Sequence, residues 1–443
     1  MSNLIVSKFG GYSVATAESI KKAAEIVKSD PARRYIVVSA PGRRSRDDIK
    51  VTDMLFMVHA MYSNKEKSYE DLLKKIAVRY QEIVDKLGIN VNIEAEAADV
   101  RKSLVLGRNA DYIVSRGEYV IAKIFAEYLG WPFVDAADLI YFKADGTLDE
   151  EKTFKEAAEV LSKYEHAVIP GFYGSIGGIN IKLFSRGGAD TTGAILARAL
   201  NADFCEKWSE TSQIFSADPT IVENPEIIRN ITYQELRELT YMGINVIDED
   251  VIFLLQHVGI PIRIRNINYP DDIGTYITSE LPSDVTRNIV ACIAGLRHYK
   301  AIKIEKFGLN KAHGVGEKVW GIFARRNISC EHYISGIYNF SIIVKNPMFD
   351  LKRNEIFQEL KDAINPESIN VESELSLIAV IGKGMGTIKG VFARVFDAIA
   401  GADVKVRMIN QGSDELNIII GVNDSDFEKT IKALYNAMIL SKE

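Results

Sequence analysis

Short apolar runs recur along the first two thirds of the chain, and the stretches between them carry helical spacing. Leu4–Val6, Tyr35–Ser39, His166–Ile169, Phe204–Trp208 and Pro261–Ile264 are each the length of a buried strand. Their alternation with helix-like segments predicts βα units and a mainly parallel sheet. Between about 64 and 104 the pattern changes: Leu72, Leu73, Ile76, Tyr80, Ile83, Val84 and Leu87 fall at helical spacing amid charges, which predicts a helical excursion.

The periodicity breaks at "SELPSDVTRN" (279–288), where Pro282 and polar residues interrupt it before a new strand pattern begins. This places an α/β domain over residues 1–282 and a second region over 288–443. Within that region Val319, Trp320 and Ile328 align with Val395, Phe396 and Val404 at a common offset of 76 residues. The repeat predicts two copies of one small α+β unit, about 296–372 and 373–443.

The 443 residues suffice for two or three cores, and 47% hydrophobic with 26% charged residues is the composition of a globular protein. A net charge of −6 argues against a nucleic-acid surface, which needs a basic face to displace counterions. Cys205, Cys292 and Cys330 lie far apart without metal-ligand spacing, so neither a disulfide framework nor a zinc site is expected. No apolar stretch approaches a membrane span and no signal-peptide layout opens the chain. The expectation is a cytoplasmic protein with a small-molecule or protein partner, without nucleic-acid or membrane partners.

Candidate chemistry starts at "KFGGYSVA" (8–15), where Gly10 and Gly11 let successive N–H groups face one concavity beside Lys8. Taken alone, this loop serves a phosphate cradle and a plain strand-to-helix turn equally well. In "SRGGADTTGAILARAL" (185–200), Gly187 and Gly188 precede a helix whose N–H groups Asp190, Thr191 and Thr192 can cap, with Arg186 at the mouth. In "VSRGEYVIAKIFAEYLG" (114–130), Glu118 is expected to head an amphipathic helix, where the macrodipole favours an acid without any functional role. "VVSAPG" (37–42) is a buried strand ending in small residues, where open α/β sheets bind ligands. The glycines of "GKGMGTIKG" (382–390) lack the following βαβ unit and acid of a dinucleotide site, which sets an oxidoreductase aside.

Together with "KVTDML", "FSADP" (215–219), "RRNISCEH" and "VRMINQGSDELNIIIGV", these motifs resemble the aspartate kinases of the amino acid kinase superfamily over nearly the whole chain. The resemblance implies a three-layer αβα amino acid kinase fold followed by two ACT units of βαββαβ order. It implies that Lys8 and Asp190 are catalytic, with Asp190 at the reacting centre or its magnesium shell, and that Gly10, Gly11, Gly187 and Gly188 bind phosphate. Ser39, Thr52, Glu118 and Arg186 would bind L-aspartate, Glu118 taking the ammonium and Arg186 a carboxylate. Ser209, Glu210, Phe215, Asp218, Asn245 and Val246 would bind ATP, brought with Mg2+, and no resident metal site is implied. Ser329, Glu331 and Ser335 resemble lysine-sensing contacts, Tyr338 stands where relatives tend to carry aspartate, and paired ACT units imply a homodimer.

The chain departs from the family pattern around the nucleotide. Ser209-Glu210 replace Thr-Asp, Gln213 a glycine, Phe215 a tyrosine and Thr220 an arginine. Asn245 and Asp248 stand where lysine and histidine are usual. Ala189 replaces a serine and Tyr12 a small hydroxyl residue. Each lost charge-assisted hydrogen bond is worth roughly 1.5–3 kcal/mol. Two readings follow: a feedback-regulated aspartate kinase of the lysine, threonine and methionine route, or a weak or substrate-shifted paralogue acting as an amino-acid-binding regulator.

Overall fold

The computed structural model describes residues 3–185, 187–210, 213–281, 288–345 and 347–441. The chain packs as two compact units, Met1–Ile214 with Ile227–Arg237 and Asn245–Val285, and Phe215–Glu226 with Glu238–Ile244 and Thr286–Glu443. The boundary expected at Pro282 falls outside the described residues. Segment 215–226 joins the second unit because Ala217 and Val222 sit in its core and Ile293 N–H donates to the Ser216 carbonyl at 2.8 Å.

Among the described residues, ten strands belong to the first unit: β1 (Ile5–Phe9), β2 (Arg33–Val38), β3 (Tyr141–Phe142), β4 (Ala167–Pro170), β5 (Tyr173–Ile176), β6 (Asn180–Leu183), β7 (Phe204–Ser209), β8 (Asn230–Thr232), β9 (Ile262–Asn266) and β10 (Thr275–Thr278). Seven form one sheet in the order β4-β2-β1-β7-β9-β10-β8, while β3, β5 and β6 form a small second sheet. From β4 to β9 the strands are parallel, and these are the five apolar runs read from the sequence.

Side chains alternate along β1 and β7, so Ser7 and Glu206 face one side of the sheet and Lys8 and Lys207 the other. On the first side packs helix Ala17–Lys28, opened by a Thr16–Ser19 capping box and burying Ile20, Ala23, Ala24 and Val27. There the Glu206 carboxylate, fully buried, accepts from Arg33 Nε (2.7 Å), Trp208 Nε1 (2.9 Å) and Ser7 Oγ (3.0 Å). On the second side packs helix Gly188–Ala199, where a side-chain carbon at Gly193 would lie 3.4 Å from Lys8 Cβ. The sheet is thus the middle of three layers.

The helical excursion expected over about 64–104 is formed by helices Tyr69–Leu87 and Ile93–Val105, preceded by helix Val51–Ser63, and of the apolar positions named above Leu73, Ile76, Tyr80, Ile83, Val84 and Leu87 are buried. It braces the loop after β2, where the Arg79 guanidinium donates to the Gly42 carbonyl, and it ties to helix Ala110–Leu129, where Tyr80 Oη donates to Gly117 O at 2.8 Å.

The second unit carries one antiparallel sheet of β11 (Cys292–Glu305), β12 (His332–Ser335), β13 (Asn339–Val344), β14 (Ser368–Ile381), β15 (Met408–Asn410) and β16 (Asn417–Asn423), in the order β12-β13-β11-β14-β16-β15. Long strands β11 and β14 run through both repeats and break at the left-handed residues His298 (φ 68°) and Glu374 (φ 56°). One core gathers Ile302, Val319, Phe340 and Ile356, the other Ile293, Ile378, Val395 and Ile418. Val319 and Val395 occupy equivalent positions of helices Val315–Ala324 and Val391–Gly401, as the 76-residue offset requires. The second repeat is not contiguous: residues 292–296 at the start of β11 complete its sheet, pairing with 377–381. Among the described residues no helix is long and apolar enough to cross a membrane.

Candidate active site

A cavity of about 790 Å³ opens in the first unit at the carboxyl ends of the central strands. It is lined by Lys8 in β1 and Gly10, Gly11 and Tyr12 after it, by Ser39, Ala40, Gly42, Arg43 and Lys50 after β2, by Thr52, Asp53 and Glu118 from two helices, and by Phe172. Gly187, Gly188, Ala189 and Asp190 at a helix start and Ser209 and Glu210 at the end of β7 complete it. Eleven expected site residues therefore meet in one space.

The glycine loop is held by backbone. Gly10 N–H donates to Trp208 O (3.0 Å) and Gly42 N–H to Gly11 O (2.8 Å). A side-chain carbon at Gly11 would lie 2.7 Å from Ala40 O, so only glycine fits between the two loops. Tyr12 lines the cavity and is 39% exposed.

Helix Gly188–Ala199 starts at Gly187 (φ 74°) without a side-chain cap, contrary to the capping expected from Asp190, Thr191 and Thr192. Two of those side chains, Asp190 and Thr192, are spent elsewhere. Thr192 Oγ1 donates to Gly188 O (2.9 Å) and accepts from the N–H of Phe172, a non-glycine residue held at φ 79°. Asp190 places Oδ1 2.7 Å from Lys8 Nζ and Oδ2 2.7 Å from Lys207 Nζ. Burial would raise the Asp190 pKa, but the two lysines override it and hold it down at about 2. Burial lowers that of Lys8, and Lys207 adds to the effect. Both Asp190 oxygens thus lie on lysine ammonium groups. Among the described residues no group of three or more His, Cys, Asp or Glu side chains could hold a metal ion.

Glu118 lies in the middle of helix Ala110–Leu129, whose cap is Asn109, so the macrodipole does not account for it. It is 3% exposed. Its Oε1 accepts from Ala40 N–H at 3.1 Å, while Oε2 has no hydrogen-bond partner. Burial pushes its pKa up to about 8, against smaller opposing pulls from its backbone donors and Lys8. A buried carboxylate with an unused oxygen in a cavity is complementary to a ligand's cation.

Arg186 lies outside the described residues. Asn245 and Val246 belong to the first unit, where Val246 O accepts from Lys207 Nζ at 2.7 Å. Phe215 and Asp218 belong to the second unit, and Asp218 Oδ1 is used in a local turn by Thr220 N–H (2.8 Å) and Oγ1 (2.7 Å). Also in the second unit, Ser329 and Ser335 are exposed, and Glu331 Oε2 accepts from Tyr241 Oη at 2.7 Å. The sequence reading missed Lys207, whose signal was a lysine inside an apolar strand: such a charge is buried only with a partner.

The amino acid kinase family model matches residues 3–266, and an ACT domain model matches 378–438. The chain is 32% identical to aspartokinase 3 of Bacillus subtilis, covering 97% of each chain. The crystal structure of Clostridium acetobutylicum aspartate kinase is similar at 41% identity and a TM-score of 0.91, over 98% of this chain and 100% of that one. Escherichia coli aspartokinase III, solved in complex with aspartate and ADP, shares the fold at 23% identity and a TM-score of 0.73, over 98% and 99% of the two chains. A cavity built from the expected residues and these matches along the whole length make the chain a member of the aspartate kinases, within the amino acid kinase family.

Proposed function

We propose that the protein transfers the γ-phosphoryl group of ATP to the β-carboxylate of L-aspartate, forming 4-phospho-L-aspartate for the lysine, threonine and methionine route. The observation that carries this reading is the pairing, in one cavity, of a lysine-and-glycine phosphate cradle with the unpartnered buried oxygen of Glu118. The first suits a polyphosphate and the second an α-ammonium.

A substrate carboxylate has a pKa near ~4 and is ionised at neutral pH, so it needs no general base. The work left is alignment and charge. Lys8 and the N–H groups at Gly11, Gly187 and Gly188 receive the transferring phosphoryl group, while Gly10, whose N–H is taken by Trp208 O, contributes close backbone approach and not a donor. Glu118, Ser39 and Thr52 orient the amino acid, with Arg186 as its carboxylate clamp. Asp190 positions the lysines. Mg2+ comes with the nucleotide, held by phosphate oxygens and water, and supplies further positive charge.

Glu331, Ser329 and Ser335 form the proposed effector site for an amino acid such as lysine, in a homodimer paired through its ACT units. Escherichia coli aspartokinase III was solved in a lysine-bound T-state.

The test is ADP release by the purified protein with Mg-ATP and saturating aspartate, compared with glutamate. Aspartate-dependent release slowed by lysine is expected. No release at saturating aspartate refutes the reading and leaves the regulator in its place.

A further inference from the structure

We propose that Lys207 is a second phosphate-binding cation of this site, gripping the β- and γ-phosphates of the nucleotide beside Lys8. The inference rests on the kinase reading for its ligand, so its test is made without aspartate.

Strands β1 and β7 are parallel neighbours in which Lys8 and Lys207 are register partners. Partners in a parallel ladder share a face, so both ammonium groups reach the start of helix Gly188–Ala199, where Asp190 bridges them at 2.7 Å each. Within this triad two cations share one carboxylate and leave one positive charge in excess, on lysine side chains only 10% and 18% exposed. Such a charge is costly until an anion arrives.

Lys207 Nζ has three donors: one goes to Asp190, one to the Val246 carbonyl at 2.7 Å, and the third takes no partner among the described residues. The segment around Val246 supplies no cation itself, since its polar members are Asn245 and Asp248. It supplies a carbonyl, which fixes the ammonium that β7 brings to it. The positive charge at this edge of the cradle thus comes from a strand.

A purely structural Lys207–Asp190 pair would also show this geometry, and ligand charge separates the two cases. Lys207→Gln keeps hydrogen-bond donors and removes the charge. Dissociation constants for Mg-ATP and for AMP are measured by competition with a fluorescent nucleotide, alongside melting temperature. The proposal expects ATP to weaken at least tenfold while AMP stays within twofold. Unchanged ATP binding, equal losses for ATP and AMP, or a wild-type protein that binds no ATP overturns it. Should the variant fail to fold, amine-reactive labelling of Lys207 in the wild type replaces it. Protection by Mg-ATP and not by AMP is expected, and protection by neither refutes the assignment. A protein that shows the ATP-selective loss yet never phosphorylates aspartate keeps Lys207 and loses the acceptor.

Discussion

Replacing Glu118 with glutamine removes one charge from the cavity and almost no volume. With a pKa of about 8, the empty-site Glu118 is about ten parts protonated to one ionised at pH 7. An arriving α-ammonium favours the ionised form, so binding aspartate releases about 0.9 proton from this group. Titration calorimetry in buffers of different ionisation enthalpy counts that proton directly. The wild type is expected to release it at pH 7 and to release little at pH 9.5, where Glu118 is already ionised. Glu118→Gln should release none and bind aspartate ten to a hundredfold more weakly, since a charge-assisted contact is worth about 1.5–3 kcal/mol. Stability has a matching sign. The folded-state value lies above the ordinary 4.5, so the native state binds more protons than the unfolded chain between pH 4.5 and 8, and stability falls as pH rises through that window. The ceiling is (8 − 4.5) × 1.36, about 5 kcal/mol, and the glutamine variant escapes it. Buffer-independent heats in the wild type, or urea curves that stay parallel for both proteins from pH 5 to 9, refute the reasoning.

Three further perturbations test other levels of the structure. Gly11→Ala puts a carbon 2.7 Å from Ala40 O, against rigid backbone, and should cost about 1–3 kcal/mol in urea denaturation and raise the KM for ATP at least tenfold. Glu206→Gln leaves Arg33 buried without its carboxylate and should lower unfolding free energy by about 3–5 kcal/mol; a loss under 1 kcal/mol contradicts the assigned role. Tyr241→Phe removes the 2.7 Å donor to Glu331 and leaves that carboxylate free for an effector ammonium. Half-inhibition by lysine should shift about fivefold lower, about 1 kcal/mol, with kcat unchanged.

The parallel core was legible in the sequence because five apolar runs need no knowledge of their neighbours to be read as strands. The repeat was legible for the same reason: Val319 and Val395 are buried in matching helices, so their spacing survives in the chain. Pairing is what periodicity does not encode. Residues 292–296 complete a sheet whose other strands lie more than 80 residues away, and contiguous reading assigned that strand to neither repeat. Lys207 went unread because its meaning depends on register with Lys8, 199 positions earlier. Glu118 was visible as a residue, but a first-turn acid and a mid-helix acid look alike until the cap at Asn109 is known. The capping read at Asp190 and Thr192 failed because lysines and the strained Phe172 backbone compete for the same oxygens.

The central claim is a carboxyl phosphate formed on aspartate in this cavity, and hydroxylamine trapping reads it most directly. Incubated with Mg-ATP, aspartate and hydroxylamine, the wild type should accumulate β-aspartyl hydroxamate in step with ADP, and Lys8→Ala, still folded by circular dichroism, should form none. ADP without hydroxamate, or hydroxamate formed equally by Lys8→Ala, would contradict the account.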